Sequence, residues 1–281
     1  MQVRQPQQVV TAMATQEGAG VTVHRALGTP LLPDVDPFLM LDEFKNDDPK
    51  RYMAGFPDHP HRGMETVTYM LAGAMRHRDN QGNEGRLRPG DVQWMTAGRG
   101  IIHSEMPEQE QGLMWGFQLW VNLPAKDKMT APRYQEIKAA DIPEVTRLDG
   151  LRARVIAGKL DGIAGPINGI GVDPTYFDVA LPKAVAFEHP LPANQQGFVY
   201  VFGGKAQIGD GASARAVQRG SLAVLGSGDT VKVDAWAGAD ARFLLIAGRP
   251  LNEPVVKYGP FVMNTREQIY QAIDDFQSGR F

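Results

Sequence analysis

Short runs of β-branched and aromatic residues, each cut off by glycine, proline, asparagine or aspartate, recur along almost the whole chain. They include Glu65–Leu71, Asp91–Met95, Trp115–Val121, Thr175–Ala180, Phe198–Phe202, Ser221–Leu225 and Phe243–Ala247. Runs this short with such boundaries read as strands. Their spacing favours all-β sandwiches or barrels over alternating strand–helix units. The punctuation is dense: 31 glycines and 20 prolines stand among 281 residues, well above the average usage of about 12% for the two together. Helical signal gathers only at the end, in NTREQIYQAIDDFQSGRF. There Thr265 with Gln268 makes a capping-box signature, Asn264 with Glu267 offers a second register, and Gly279 stands as a stop. Ile269, Ala272, Ile273 and Phe276 recur at helical spacing, so this helix is expected to dock an apolar face on a barrel.

The chain also repeats itself weakly. Pro89–Met95 (PGDVQWM) resembles Arg219–Leu225 (RGSLAVL), each followed by a glycine-rich loop, and a strand running into glycine precedes both. Duplication of one β unit is the expectation, with two domains of ordinary size and a seam near Asp141–Gly150. Composition narrows the function classes. With 29 basic and 32 acidic residues the net charge is −3, which gives no global pull towards nucleic acid or an anionic membrane. There is no cysteine, so thiolate metal sites, Fe–S clusters, disulfides and cysteine nucleophiles are excluded. No signal-peptide pattern or membrane-length apolar run is present, and a cytoplasmic protein is expected.

The chemistry concentrates in two short stretches. In Asp58-His59-Pro60-His61-Arg62-Gly63-Met64-Glu65 the two histidines are two apart, and the proline between them disfavours helix. On an extended backbone they share one face. His103-Ser104-Glu105 repeats the spacing about forty residues on, between Ile101, Ile102 and Met106. Either pair alone is a weak signal. If both face one interior, three imidazoles and a carboxylate converge, an N/O set suited to Fe(II), Mn, Ni, Cu or Zn. His24, His77 and His189 read as surface or packing residues, with His77 closest to the site in sequence. Phe56, Met64, Met95 and Met106 are candidates for an apolar wall.

The stretches HPHRGMETVTYMLAG and PGDVQWMTAGRGIIHSEMP together resemble the two motifs of the pirin family of the cupin superfamily. DPFLMLDEF (Asp36–Phe44) and EPVVKYGPFVMNT (Glu253–Thr265) extend the match over most of the chain. The resemblance implies an all-β bicupin, two antiparallel β-barrels stacked face to face, with a C-terminal segment packing back towards the first. The expected domains are 1–140, carrying the metal, and 141–281, without ligands but with the C-terminal helix. It places the metal ligands on His59, His61, His103 and Glu105, with Fe(II) as the usual metal and Ni, Zn, Mn or Cu able to fill the same site. It implies a quercetin 2,3-dioxygenase-like activity on a flavonol-like aromatic and O₂, with loss of carbon monoxide and Glu105 as catalytic base. The alternative it offers is a metal-containing regulator that binds a protein partner, a transcriptional cofactor or a modulator of a metabolic enzyme, with incidental quercetinase activity. On either reading a monomer without direct nucleic-acid contact is expected. Cupins in general take a glutamate at the place of Glu65; pirins use the position of Glu105, which leaves Glu65 as a neighbour of Arg62 or of a ligand imidazole. At the repeat offset His103 falls on Val233 and Glu105 on Ala235, and Asn194–Gly197 lies opposite the His-x-His stretch, so the second half is expected to be metal-free.

Overall fold

The computed structural model of the protein describes residues 1–281 apart from Glu110 and Ala237. Strands account for 54% of the chain, and the α-helix Arg266–Gln277 lies near its end. All the sheet pairings described are antiparallel, as the short, turn-bounded runs lead one to expect. The chain divides into two compact units. One comprises residues 1–13, 26–37 and 140–250; the other comprises 14–25, 38–139 and 251–281. Each end of the chain thus belongs to the unit built mainly by the opposite half. A single cut into 1–140 and 141–281 does not describe this exchange. The N-terminal part is held by strand Pro6–Thr11 pairing with Ser221–Leu225.

The unit of residues 38–139 contains two sheets. A seven-stranded sheet runs, in spatial order, through Arg133–Ile137, Val92–Thr96, Met64–Ala72, Met114–Asn122, Phe38–Asn46, Val21–Leu27 and Met13–Glu17. A four-stranded sheet has the order Phe56–His61, Ile101–Pro107, Met75–Asp79, Glu84–Leu87. The two meet through Gly63, which joins Phe56–His61 to Met64–Ala72. Its φ is +79°, and an added Cβ would lie 2.1 Å from the Val262 carbonyl oxygen, so only glycine fits.

The chain's last thirty residues brace that junction. Phe261 bridges to Arg62, the Val262 amide donates to the Arg62 carbonyl at 3.0 Å, and the Arg62 guanidinium donates to Asp275 at 2.7 Å. Lys128, buried, donates to the carbonyls of Gly63 and Val262 and to Asn122 Oδ1. Its burial pushes the ammonium pKa down to about 8. The helix begins at Thr265 with the expected capping box: the Gln268 amide donates to Thr265 Oγ1, and the Thr265 amide donates to Gln268 Oε1. Ile269 and Ala272 are buried against Phe261 and Met263.

The unit of residues 140–250 is built round a ten-stranded sheet. Its interior is one continuous apolar cluster that includes Val155, Phe177, Phe187, Val199, Val201, Val231, Val233, Phe243 and Leu245. Each such side chain contributes roughly 1.5–3 kcal/mol by leaving water. In the other unit buried apolar side chains gather around Met70 and Phe44, around Met64 and Leu39, and around Met95 and Ile101.

Candidate metal centre

Strand pairing brings the two histidine stretches together. Pro57 and Pro60 keep Phe56–His61 extended, and it lies along Ile101–Pro107 with His59 opposite His103 and His61 opposite Ile101. The register slips between His103 and Glu105, so that Glu105 stands opposite Phe56. The imidazoles of His59, His61 and His103 lie with ring centroids 4.4 to 5.0 Å apart. Each offers one ring nitrogen to a cluster in which all three atoms lie within 4.8 Å.

Their surroundings keep His61 and His103 neutral. His61 and His103 are 2% and 1% exposed, and burial holds both far below the ordinary imidazole pKa. Neighbouring imidazoles push the same way, while the Pro260 carbonyl opposes the shift at His61. The Pro57 carbonyl accepts from His59 Nδ1 at 2.8 Å, which leaves Nε2 as that ring's lone-pair nitrogen. Among the described residues, neither nitrogen of His61 nor Nε2 of His103 makes a hydrogen bond of ordinary geometry. Buried polar atoms left in that state cost free energy. Three convergent lone pairs fit a divalent transition metal, which satisfies all three at once.

Glu105 projects into the same interior but stands outside the three-histidine cluster. It is 2% exposed, and each carboxylate oxygen has its own donor: Thr68 Oγ1 to Oε1 at 2.9 Å, and Gln118 Nε2 to Oε2 at 2.9 Å. Both donors come from the facing seven-stranded sheet. Beside them Trp120 sets its ring edge-on to His61 at 5.2 Å and packs with Met64. Thr68, Gln118 and Trp120 were not among the sequence candidates. The signal available was the alternation of Trp115–Val121, which puts Gln118 and Trp120 on opposite faces from Phe117 and Leu119 only by parity with an unknown partner.

Glu65 does not neighbour Arg62 or a ligand imidazole. The positive φ of Gly63 breaks the alternation between the two strands, so Glu65 points away from the face that carries Thr66 and Thr68. It accepts from Thr96 Oγ1 at 2.6 Å, burial raises its pKa, and Arg62 pairs with Asp275 instead. Phe56 packs with Tyr52, Met70 and Met75 in the core beside the site. His24 is exposed. His77 is not a surface residue: it is 1% exposed, and its Nδ1 lies 3.5 Å from Nδ1 of His103.

Residues 20–121 match the Pirin family model, and residues 176–281 match the model of the Pirin C-terminal cupin domain. The chain belongs to the pirin family. A Pirin-like protein of Caulobacter vibrioides is 54% identical to it over 282 residues, covering 100% of both chains. The Pirin of Homo sapiens is 45% identical over 272 residues, 96% of this chain and 91% of its own. Among solved structures, a quercetin 2,3-dioxygenase from Acinetobacter baumannii superposes with a TM-score of 0.91 at 34% identity, over 99% of this chain and 98% of that one.

In this pirin the histidine strands have counterparts in the unit of residues 140–250. Strand Thr230–Ala235 pairs with Ala186–Pro190, placing Val233 opposite Phe187 and Val231 opposite His189. The same register in the histidine unit places His103 opposite His59 and Ile101 opposite His61. The counterpart of His59-Pro60-His61 is therefore Phe187-Glu188-His189, not Asn194–Gly197. The offset differs by two residues between the paired strands, and a fixed offset of 130 missed it. His189 is buried against Phe177 and Phe187, and burial lowers its pKa to about 4.

Proposed function

We propose that this pirin is a metal-dependent dioxygenase of the quercetin 2,3-dioxygenase type, holding iron(II) on His59, His61, His103 and Glu105. The convergence of three imidazoles carries the proposal: His61 and His103 are buried with unpartnered nitrogens, and half-buried His59 joins them within 4.8 Å. The relation to the Acinetobacter baumannii quercetin 2,3-dioxygenase supports the reaction class. Each of the two units, on this reading, is a cupin barrel.

When bound, the metal supplies Lewis acidity towards a flavonol hydroxyl and redox capacity towards O₂. The chain supplies the rest. His59 is locked with Nε2 forward by the Pro57 carbonyl. His61 is wedged against the Trp120 ring, which also forms an apolar wall for an aromatic substrate. Glu105 receives the proton of the flavonol 3-hydroxyl on one carboxylate oxygen. Thr68 and Gln118 fix the plane of that carboxylate, so the accepting lone pair is aimed before substrate arrives.

The test is anaerobic purification and reconstitution with iron(II), then quercetin turnover followed by O₂ uptake and carbon monoxide release. Stoichiometric metal and carbon monoxide equal to quercetin consumed are expected. Loaded protein that leaves quercetin intact overturns the activity, and failure to bind metal overturns the site.

A further inference from the structure

His77 is a buried imidazole for which neither the fold nor the three-histidine cluster accounts. It sits on strand Met75–Asp79, directly opposite Glu105, while its neighbour Asp79 stands opposite His103. Its ring centroid is 5.2 Å from that of His103, and the two Nδ1 atoms lie 3.5 Å apart, at the long end of hydrogen-bond distances. A bond between two imidazole nitrogens needs one N–H donor and one lone-pair acceptor. His103 Nε2 has no other partner among the described residues, and with Nδ1 turned to His77 it is the nitrogen left for an ion. Its Nδ1 therefore carries the hydrogen, and His77 Nδ1 accepts it.

We propose that His77 is a positioning residue for the metal site: it fixes the Nδ1–H tautomer and the ring plane of His103, leaving Nε2 free to bind the ion. The inference rests on the reading of the three histidines as metal ligands. His77 is itself held from behind. Its ring meets the Tyr134 ring edge-on at 4.9 Å, and the Tyr134 hydroxyl donates to Asp79 Oδ2 at 2.9 Å. Asp79 is fixed in turn by the amides of Gln81 and Asn83 and by Asn83 Nδ2.

The other unit of the same chain supplies an internal control. There Ala235 stands opposite Ala206 where Glu105 stands opposite His77. The half whose strand carries Val233 in place of His103 thus carries alanine in place of His77, although it keeps His189 in place of His61. An imidazole needed for packing alone would have no reason to be absent together with the ligand it touches. Partners of ligand histidines typically change metal affinity 10- to 100-fold when removed.

The experiment titrates metal-free protein anaerobically with cobalt(II), reading the d–d absorption bands, for wild type, His77→Phe, His77→Gln and His59→Ala. Phenylalanine keeps the aromatic contact with Tyr134 but accepts no hydrogen bond, whereas glutamine offers a carbonyl oxygen to His103 Nδ1–H. Cobalt affinity should fall about tenfold or more in His77→Phe, with shifted bands, and should recover largely in His77→Gln. Equal affinity and spectra for wild type and His77→Phe overturn the inference while leaving the metal site standing. Wild type that binds no more cobalt than His59→Ala overturns the metal reading itself. Nitrogen-15 NMR of the histidine rings in metal-free wild type gives a check independent of any variant. His103 in the Nδ1–H tautomer is the expected result, and the Nε2–H tautomer refutes the proposal.

Discussion

Two sets of strands in this chain share one pairing scheme and serve opposite ends. In one unit, Phe56–His61 and Met75–Asp79 flank Ile101–Pro107. In the other, Ala186–Pro190 and the end of Gln196–Ile208 flank Thr230–Ala235. The inward positions His59, His103, Glu105 and His77 of the first become Phe187, Val233, Ala235 and Ala206 in the second. At these positions the second unit gains apolar side chains that join its hydrophobic interior, and the first keeps buried His103, Glu105 and His77. The backbone scheme therefore decides neither stability nor chemistry by itself; four or five inward side chains do.

The largest effect should come from damaging the apolar interior. Phe243 is fully buried there, so Phe243→Ala should cost about 3–5 kcal/mol in urea unfolding. Metal content of the folded fraction should stay unchanged. Coupled loss of metal and stability would show that the two units do not play separate parts.

Next comes the reverse transplant, His103→Val, which puts the second unit's residue into the first. Binding should fall below detection by metal analysis. The stabilisation that added metal gives wild type, about 2.7 kcal/mol at a hundredfold excess over Kd, should vanish. A variant that still holds stoichiometric metal would break the assignment of His103.

His189 tests what a lone surviving imidazole costs. Its folded pKa, about 4, lies below the ordinary 6.5 because burial disfavours the charged ring, with Asp161 and Arg147 opposing each other nearby. Between those values the unfolded chain binds the extra proton, so stability must fall as pH drops from about 6.5 towards 4. The loss should reach roughly 2 kcal/mol once partial solvent access is allowed for. His189→Leu should flatten that part of the unfolding curve, and an unchanged slope would remove His189 as its source.

What the sequence made legible follows from how local each signal is. His59-Pro60-His61, His103-Ser104-Glu105 and the Thr265–Gln268 cap are set by spacing within a few residues, and each is found in the expected local conformation. Glu65 went astray because one positive-φ glycine, Gly63, reverses the strand parity between His61 and Glu65. Thr68, Gln118 and Trp120 reach the site through sheet pairing and face-to-face packing, which leave no mark on their own neighbours in sequence. His77 looked like a packing residue because its partner lies 26 positions away. The exchange of chain ends was hidden for the same reason, since the strand pairing that holds Pro6–Thr11 spans more than two hundred residues.

The smallest effect concerns the carboxylate, which has no counterpart side chain beyond Ala235 in the other unit. Thr68 and Gln118 each donate to one oxygen of Glu105. Removing one donor should leave metal content intact yet let the carboxylate plane rotate. Gln118→Leu should then lower quercetin kcat about tenfold, equivalent to roughly 1.4 kcal/mol of barrier, with little change in KM. Thr68→Val should act in the same direction, and the double variant should lose less than the product of the two, because both donors hold one group. Steady-state kinetics on metal-loaded protein measures this directly. A rise in KM with kcat unchanged would move Glu105 from proton acceptor to substrate binding, and loss of metal in either variant would make it an essential ligand whose orientation these donors control.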